Sequence, residues 1–187
     1  EATIIPQVRV KNHGTNTITN ISIDDSIDGI PSNYLWNGVI VSNEITTISL
    51  PQATLTRGIH TLNVTTTITN DSYSDNNTGT STFYINDSGI IGQINPFTTS
   101  TDALISYTDG GTGSQWVRGV RSDALTSSGN TVYTTNLARN YPDNIKAYLV
   151  SQCYNLTNVI NPQISFAMKY KIENNWDIIY VEYSTNF

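Results

Sequence analysis

Two carboxylates in one short segment are the clearest candidates for a metal site. Glu173 and Asp177 flank Asn174-Asn175-Trp176, between two stretches that alternate apolar and polar residues. Carboxylates and amide carbonyls are hard oxygen donors, the ligands that Ca²⁺ prefers in proteins. The sequence therefore predicts a structural calcium ion at Glu173 and Asp177, with an ordinary solvated hairpin loop as the alternative interpretation.

Three further acids could donate to a second calcium ion: Asp102, Asp109 and Asp123. They do not have the D-x-D-x-D-G spacing that a calcium-binding loop of the EF-hand type requires. No specific second site is therefore predicted.

Aromatic residues suggest a different chemistry, the binding of carbohydrate. The chain has three tryptophans, Trp36, Trp116 and Trp176, together with eleven tyrosines. An aromatic face offers apolar area on which the C–H groups of a pyranose ring can pack. Trp116 and Trp176 are the candidate ligand residues. Solvent exposure would separate this role from that of a core plug.

Hydrolytic chemistry is not indicated. His13 and His60 are the two histidines, and the sequence has neither an H-E-x-x-H zinc motif nor a G-x-S-x-G elbow. Cys153 is the single cysteine. A cysteine nucleophile needs a histidine base and an orienting third group. No pattern in the sequence indicates such groups for Cys153. We therefore predict no catalytic and no cofactor-binding residues, and the chain is not expected to be an enzyme.

Composition excludes two classes of partner. Charged residues are 13% of the 187 residues, the net charge is −6, and the nine basic residues are scattered. A nucleic-acid-binding surface needs clustered Lys and Arg, so no nucleic-acid partner is predicted. No stretch approaches the roughly 18 apolar residues of a membrane helix, and membrane insertion is not expected. Abundant Thr, Asn and Ser favour a secreted or cell-surface location.

The first half of the chain is patterned as short strands. From Thr3 to Asn86, six or seven apolar–polar runs follow one another at roughly 8 to 12 residue spacing, without helical periodicity. Asp28-Gly29 lies between two of these runs and is a hairpin signal. The pattern predicts an immunoglobulin-like β-sandwich over residues 1–88.

The second half is patterned as longer strands. After a linker at 87–93 and a Gly-rich loop at 107–116, apolar residues alternate regularly over 164–172 and again over 178–184. Long strands after Gly-rich loops predict a jelly-roll β-sandwich over residues 89–187. The last strand would need a partner. We therefore expect the chain to be an excerpt of a longer precursor, with its second domain truncated at the C-terminus.

The first half also resembles a known family. It is similar to the cell-adhesion-related bacterial domain of the CARDB type, with matching segments in the family's order over nearly all of 1–86. These segments are "VKNHGTNTITNISIDDSIDG", "YLWNG" and "RGIHTLNV". The second half resembles part of a MAM-like jelly-roll domain, through "WVRG", "LVSQCYNL" and "ISFAMKYKIENNWDIIYVEYST".

These resemblances imply a biological setting. Such domains accompany secreted proteases and adhesins of the Bacteroidetes that use the type IX secretion route, and MAM-like domains often hold a structural calcium. Asp25-Ser26-Ile27 also resembles an O-glycosylation acceptor pattern of these bacteria. The implied partners are other domains of the same precursor, surface glycans or secretion-machinery proteins.

The expected function is a non-catalytic adhesion or spacer segment of a large secreted or cell-surface bacterial protein. The alternative is a carbohydrate-binding accessory module of a secreted enzyme such as a metalloprotease or a glycoside hydrolase.

Overall fold

The fold is all-β, as the sequence predicts. The computed structural model describes residues 1–99, 104–109, 116–124, 129–138, 140–141 and 143–185. Within these ranges there is no α-helix, and one 3₁₀ turn spans Ser74–Asn76. The strands are β1 Ala2–Ile4, β2 Gln7–Lys11, β3 Ile18–Ile27, β4 Ile30–Ile40, β5 Ile45–Ser49, β6 Ala53–Leu55, β7 Gly58–Thr67, β8 Thr78–Ile85, β9 Ile105–Asp109, β10 Val117–Val120, β11 Thr131–Thr134 and β12 Lys146–Val150.

The chain forms two compact units. The first consists of Glu1–Ile91 and Leu149–Tyr154, and the second of Gly92–Tyr148 and Asn155–Phe187. A late segment thus returns to the first unit, where Cys153 forms a parallel bridge with Ser88. The amide of Gly89 donates to the carbonyl of Cys153 at 2.7 Å. The sequence pattern did not predict this return. The domains 1–88 and 89–187 stay a prediction.

The first unit is built on a four-stranded antiparallel sheet in the order β4-β3-β7-β8. The β3–β4 hairpin turns at Asp28 and Gly29, whose φ angles of 53° and 80° are both positive. Two consecutive positive φ angles are the requirement of a tight hairpin turn, which Asp-Gly meets at low cost. The predicted hairpin is therefore confirmed.

A single apolar core fills the first unit. Alternation along β3 places Ile21 and Ile23 on its inner face, and both are 0% exposed. They pack with Ile40, Ile48 and Val64. Since Ile48 belongs to β5, the core lies between the four-stranded sheet and the antiparallel β2–β5 pair. The two layers have the packing of a β-sandwich.

The second unit has short two-stranded pairings. β10 and β11 are antiparallel, and β9 pairs with β12. The rings of Tyr107 and Tyr148 stack at 4.5 Å between centroids. The backbone amide of Leu104 donates to the Tyr133 hydroxyl at 2.6 Å. These contacts join β9 to β12 and Leu104 to β11.

The prediction of strands over 164–172 and 178–184 is wrong. Neither segment is a strand in the structure, although both are described. Their apolar side chains are exposed, including Ile164 at 72% and Tyr183 at 93%. Alternation makes a segment suited to one face of a sheet, but a strand also needs a neighbour for its backbone hydrogen bonds. The hypothesis of a truncated second domain stays a prediction.

Candidate functional site

The predicted calcium loop is closed by hydrogen bonds within the loop and from Tyr141. The Oδ2 atom of Asp177 accepts from the backbone amide of Glu173 at 2.7 Å and from the hydroxyl of Tyr141. The Tyr141 hydroxyl in turn accepts from the Glu173 amide at 3.2 Å. The bond from Tyr141, and then that from the Glu173 amide, lower the pKa of Asp177. One side chain, Asp177, thus anchors the turn.

These contacts determine which oxygen ligands the loop could offer to a calcium ion. Glu173 and Asp177 stand in one tight turn, where the amide of Asp177 donates to the carbonyl of Glu173 at 3.2 Å. No group of three or more His, Cys, Asp or Glu residues suited to a metal occurs among the described residues. Calcium usually takes six to eight oxygen ligands, so a calcium ion here would need backbone, amide or water oxygens. The calcium site stays a prediction.

The other acids have separate surroundings. Asp123 forms a bidentate ion pair with Arg121, at 2.8 and 3.1 Å, and accepts from Lys169 at 3.3 Å. The hydrogen bonds from Arg121 and then Lys169 hold the pKa of this carboxyl far below its usual range. Asp109 ends β9 and is exposed, and Asp102 lies outside the described residues. Two cations therefore already neutralise the Asp123 carboxylate.

The tryptophans predicted to bind carbohydrate differ in exposure. Trp176 is 80% exposed, as stacking on a sugar would require. Trp116 is half-buried and its indole N–H donates to the carbonyl of Ala147 at 3.4 Å. Trp36 packs against the core of the first unit. Trp176 is thus the tryptophan available for contact with a ligand.

A histidine–aspartate pair was not predicted from the sequence. His60 is 6% exposed, and its Nδ1 lies 2.7 Å from Oδ2 of Asp28. Its Nε2 lies 2.9 Å from the carbonyl oxygen of Thr56. Asp28 Oδ1 also accepts from the amide of Thr61 at 2.9 Å. A carboxylate and a carbonyl can only accept, so both ring nitrogens must carry protons to satisfy both partners.

The electrostatics of this pair follow from the same contacts. Burial lowers the pKa of His60, but the bonds to the Asp28 carboxylate and to the Thr56 carbonyl outweigh it and leave that pKa raised. The Thr61 amide, followed by His60, lowers the pKa of Asp28. Through these bonds the pair fixes the β3–β4 turn onto β7, with both ring nitrogens of His60 engaged.

His13 and Cys153, for which no catalytic role was predicted, form no described hydrogen bond with this pair. His13 is exposed in the β2–β3 loop, beside Asn12. Asn12 is 3% exposed, and its side chain donates to the carbonyls of Asn16 and Ile40 and accepts from the amide of Gly14. Cys153 is exposed. No described hydrogen bond joins His13 or His60 to Cys153.

A polar hollow lies at the loop end of β7 and β8. It has a volume of about 260 Å³, and its lining residues are Thr65, Thr66, Thr67, Ile68, Asp71, Ser74, Asn77 and Thr78, so polar atoms and the carbon atoms of these side chains share its surface. The Oδ1 atom of Asp71 accepts from the amide of Tyr73 at 3.1 Å, and its Oδ2 accepts from the Asn77 side chain at 2.7 Å. Only the polar composition of the 70–78 stretch could have drawn attention to it.

Comparison with known proteins gives no relative. No protein-family model, no curated protein and no solved structure matches the chain. The resemblances to CARDB-type and MAM-like domains therefore stay predictions, together with the biological setting that they imply.

A buried acid in β3 provides a test of packing. Asp25 is 9% exposed on the inner face that Ile21 and Ile23 share, and its Oδ1 has no hydrogen-bond partner among the described residues. An unpaired buried acceptor costs about 1–3 kcal/mol. We therefore expect Asp25→Val to raise the free energy of unfolding by about 1 kcal/mol, measured by urea denaturation at pH 7.

The outer face of the same strand supplies the control. Asp24 is exposed and its Oδ1 accepts from the Asn33 side chain at 2.6 Å. Asp24→Val should give no stabilisation, because it removes this bond without relieving any burial. A fall in stability for Asp25→Val would contradict the prediction and show that the carboxylate contributes to the fold.

Proposed function

We propose that this chain is a non-catalytic adhesion or spacer segment of a larger secreted or cell-surface protein. The observation that carries the proposal is the state of His60. Both of its ring nitrogens are engaged, by Asp28 and by the Thr56 carbonyl. This engagement supports a structural role for the aspartate–histidine pair of the described residues, as a contact within the β-sandwich.

The architecture of the first unit supports a mechanical role. Its central sheet is continuously paired through β4, β3, β7 and β8, over one apolar core. The outer face of β3, β7 and β8 is dominated by hydroxyl and amide side chains such as Ser22, Asn63 and Thr80, with Asp24 as the charged residue. A stiff unit with a nearly uncharged face suits spacing or display.

The setting remains part of the proposal. Resemblance to CARDB-type and MAM-like domains supports a parent that is a multidomain protein of the Bacteroidetes, exported by the type IX route. No helix in the described part of the chain is long and apolar enough to span a membrane. The partners proposed are neighbouring domains of the precursor, surface glycans or secretion-machinery proteins.

An activity assay tests the proposal. The purified chain, incubated with casein-derived peptides and with aryl glycosides, is expected to give no turnover above buffer. If turnover appears, the variants His13→Ala, Cys153→Ser and Asp177→Asn will show whether it belongs to the chain. Turnover that one of these substitutions abolishes would overturn the non-catalytic proposal, whereas turnover that survives all three and separates on a second purification column comes from a contaminant and supports it.

A carbohydrate-binding accessory module is the second candidate, favoured by the 80% exposure of Trp176. Exposed indole rings offer a large apolar face for a sugar. Binding on a glycan array that is lost in Trp176→Ala, and kept in Trp116→Ala, would support it. An array without signal would count against it.

A further inference from the structure

The hollow at the ends of β7 and β8 has the chemistry of a small polar binding site. Its lining residues include Thr65, Thr67, Ser74 and Thr78, which carry hydroxyl groups, and Asp71, which carries a carboxylate; Ile68 and the threonine methyl groups add apolar surface. Hydroxyl groups both donate and accept, whereas a carboxylate only accepts. A ligand that bears several hydroxyl groups can satisfy both kinds of wall group at once.

The polar groups are held in place before any ligand arrives. Asp71 is fixed by the amide of Tyr73 and by the side chain of Asn77. The carbonyl of Asn77 accepts from the amide of Thr66 at 2.8 Å and from its hydroxyl at 3.3 Å. These bonds tie the loop to β7. Rigid side chains lose less conformational entropy when they bind a ligand.

Other ligand classes fit the hollow less well. No lysine, arginine or histidine lines it, and all its lining residues lie within the described stretch 1–99, so an anion would meet no opposite charge. Ile68 is its one large apolar side chain. A calcium ion would find one carboxylate, where calcium sites commonly supply several charged oxygens. A neutral polyhydroxyl ligand meets none of these objections.

Size and surroundings restrict the ligand further. The volume of about 260 Å³ lies just below the range of pockets that enclose drug-sized ligands, roughly 300–1,000 Å³. It suits one sugar ring. Beyond the hollow, the exposed outer face continues along β7 and β8. There Asn63 is paired to Thr80, whose hydroxyl donates to Oδ1 of the Asn63 side chain at 2.9 Å. A longer glycan could lie across this face.

We propose that the hollow of Thr65, Thr67, Asp71, Ser74, Asn77 and Thr78 binds one pyranose ring of a neutral glycan. This rests on the adhesive part of the proposed function and names its ligand class. The site is in the first unit and is separate from Trp116 and Trp176. The Asp71 carboxylate accepts hydrogen bonds from ring hydroxyls, and the Asn77 side-chain amide donates to them. The threonine hydroxyls complete the contacts.

The test uses the full chain, labelled with ¹⁵N, and four neutral probes. Methyl glycosides of glucose, galactose, mannose and N-acetylglucosamine are titrated to about 50 mM, because a Kd on the order of 1 mM is expected for one ring in an open site. At least one probe should shift the amide signals of 65–78. Asp71→Ala should weaken this binding about tenfold, the loss of roughly one charge-assisted hydrogen bond.

Two variants keep the test decisive. Thr67→Val removes one hydroxyl of the hollow with little change in shape and should also weaken binding. Asp75→Ala removes an exposed acid of the same loop that does not line the hollow, and should leave the Kd unchanged. Amide spectra of each variant without sugar establish that it is folded.

Three outcomes would overturn the inference: no shift with any glycoside, equal weakening by Asp71→Ala and Asp75→Ala, or shifts of the same amides by CaCl₂ in place of sugar. Each would leave the spacer proposal standing, because the turnover assay tests that proposal separately.

Discussion

Ile23→Ala is expected to lower the free energy of unfolding by about 2–5 kcal/mol. Ile23 is 0% exposed in the middle of β3, and it packs with Ile21, Ile40, Ile48 and Val64. Removal of its side-chain carbons loses their transfer free energy and leaves a cavity that the surrounding sheets cannot fully close. Total stabilities of domains are commonly only 5–15 kcal/mol, so the first unit of this variant would be marginally folded.

Urea denaturation of the full chain, followed by circular dichroism at pH 7, measures this effect. Ile30→Ala is the matched control, because the same side chain is 75% exposed at the start of β4. It should change the free energy of unfolding by less than about 0.5 kcal/mol. Equal effects of the two substitutions would show that the core does not lie where the structure places it.

The Asp28–His60 pair is expected to make stability depend on pH. The folded pKa of His60 is raised above its ordinary 6.5, so its contribution is complete below about pH 6.5 and is lost as the pH rises through the folded value. The pKa of Asp28 is lowered below its ordinary 3.8, so its contribution is present above that value and is lost at lower pH. The pair should therefore stabilise the fold most between these two values.

Asp28→Asn tests this expectation without disturbing the turn. Asn tolerates the positive φ of 53° at this position, and its side-chain carbonyl can still accept from the Thr61 amide. We expect a loss of about 1 kcal/mol at pH 6, a modest value because Asp28 is partly exposed to solvent. The loss should shrink as the pH rises to 9, where the imidazolium of His60 is gone.

The control for this experiment is Asp75→Asn, which removes a charge of the same sign from an exposed turn. Its stability should follow the pH curve of the parent chain. A parallel curve for Asp28→Asn, with no narrowing of the difference between pH 6 and pH 9, would show that His60 is not protonated in the fold at pH 6. His60→Gln should remove the same pH dependence from the histidine side.

Local signals were sufficient for part of the first unit. Asp28-Gly29 is a turn because few residue pairs adopt two positive φ angles in succession, and that preference acts within two residues. The alternation of Ile21 and Ile23 with Ser22 and Asp24 is visible in the sequence and indicates one buried face, because side chains of a strand point alternately to its two faces. Such properties are encoded by neighbours along the chain.

The candidate sites depended on contacts between distant residues. Asp28 and His60 are 32 positions apart and meet because β3 pairs with β7 in one particular register. The hollow forms where Thr65 and Thr78 stand opposite each other on β7 and β8. Nothing in either residue's own neighbourhood indicates its partner. Conversely, Glu173 and Asp177 are close in the sequence, yet Asp177 also accepts a hydrogen bond from Tyr141, 36 positions away.

The sequence by itself determined the all-β class, the β3–β4 turn and the apolar face of β3, because period-two alternation and turn chemistry are local properties of the chain. Only the tertiary structure decided that 164–172 and 178–184 are not strands, that 149–154 returns to the first unit, and which polar groups meet at His60 and at Asp71. Hydrogen-bond ladders and polar clusters require a second segment at a specific distance and register. That requirement is met by the folded chain as a whole, so no single segment could reveal it.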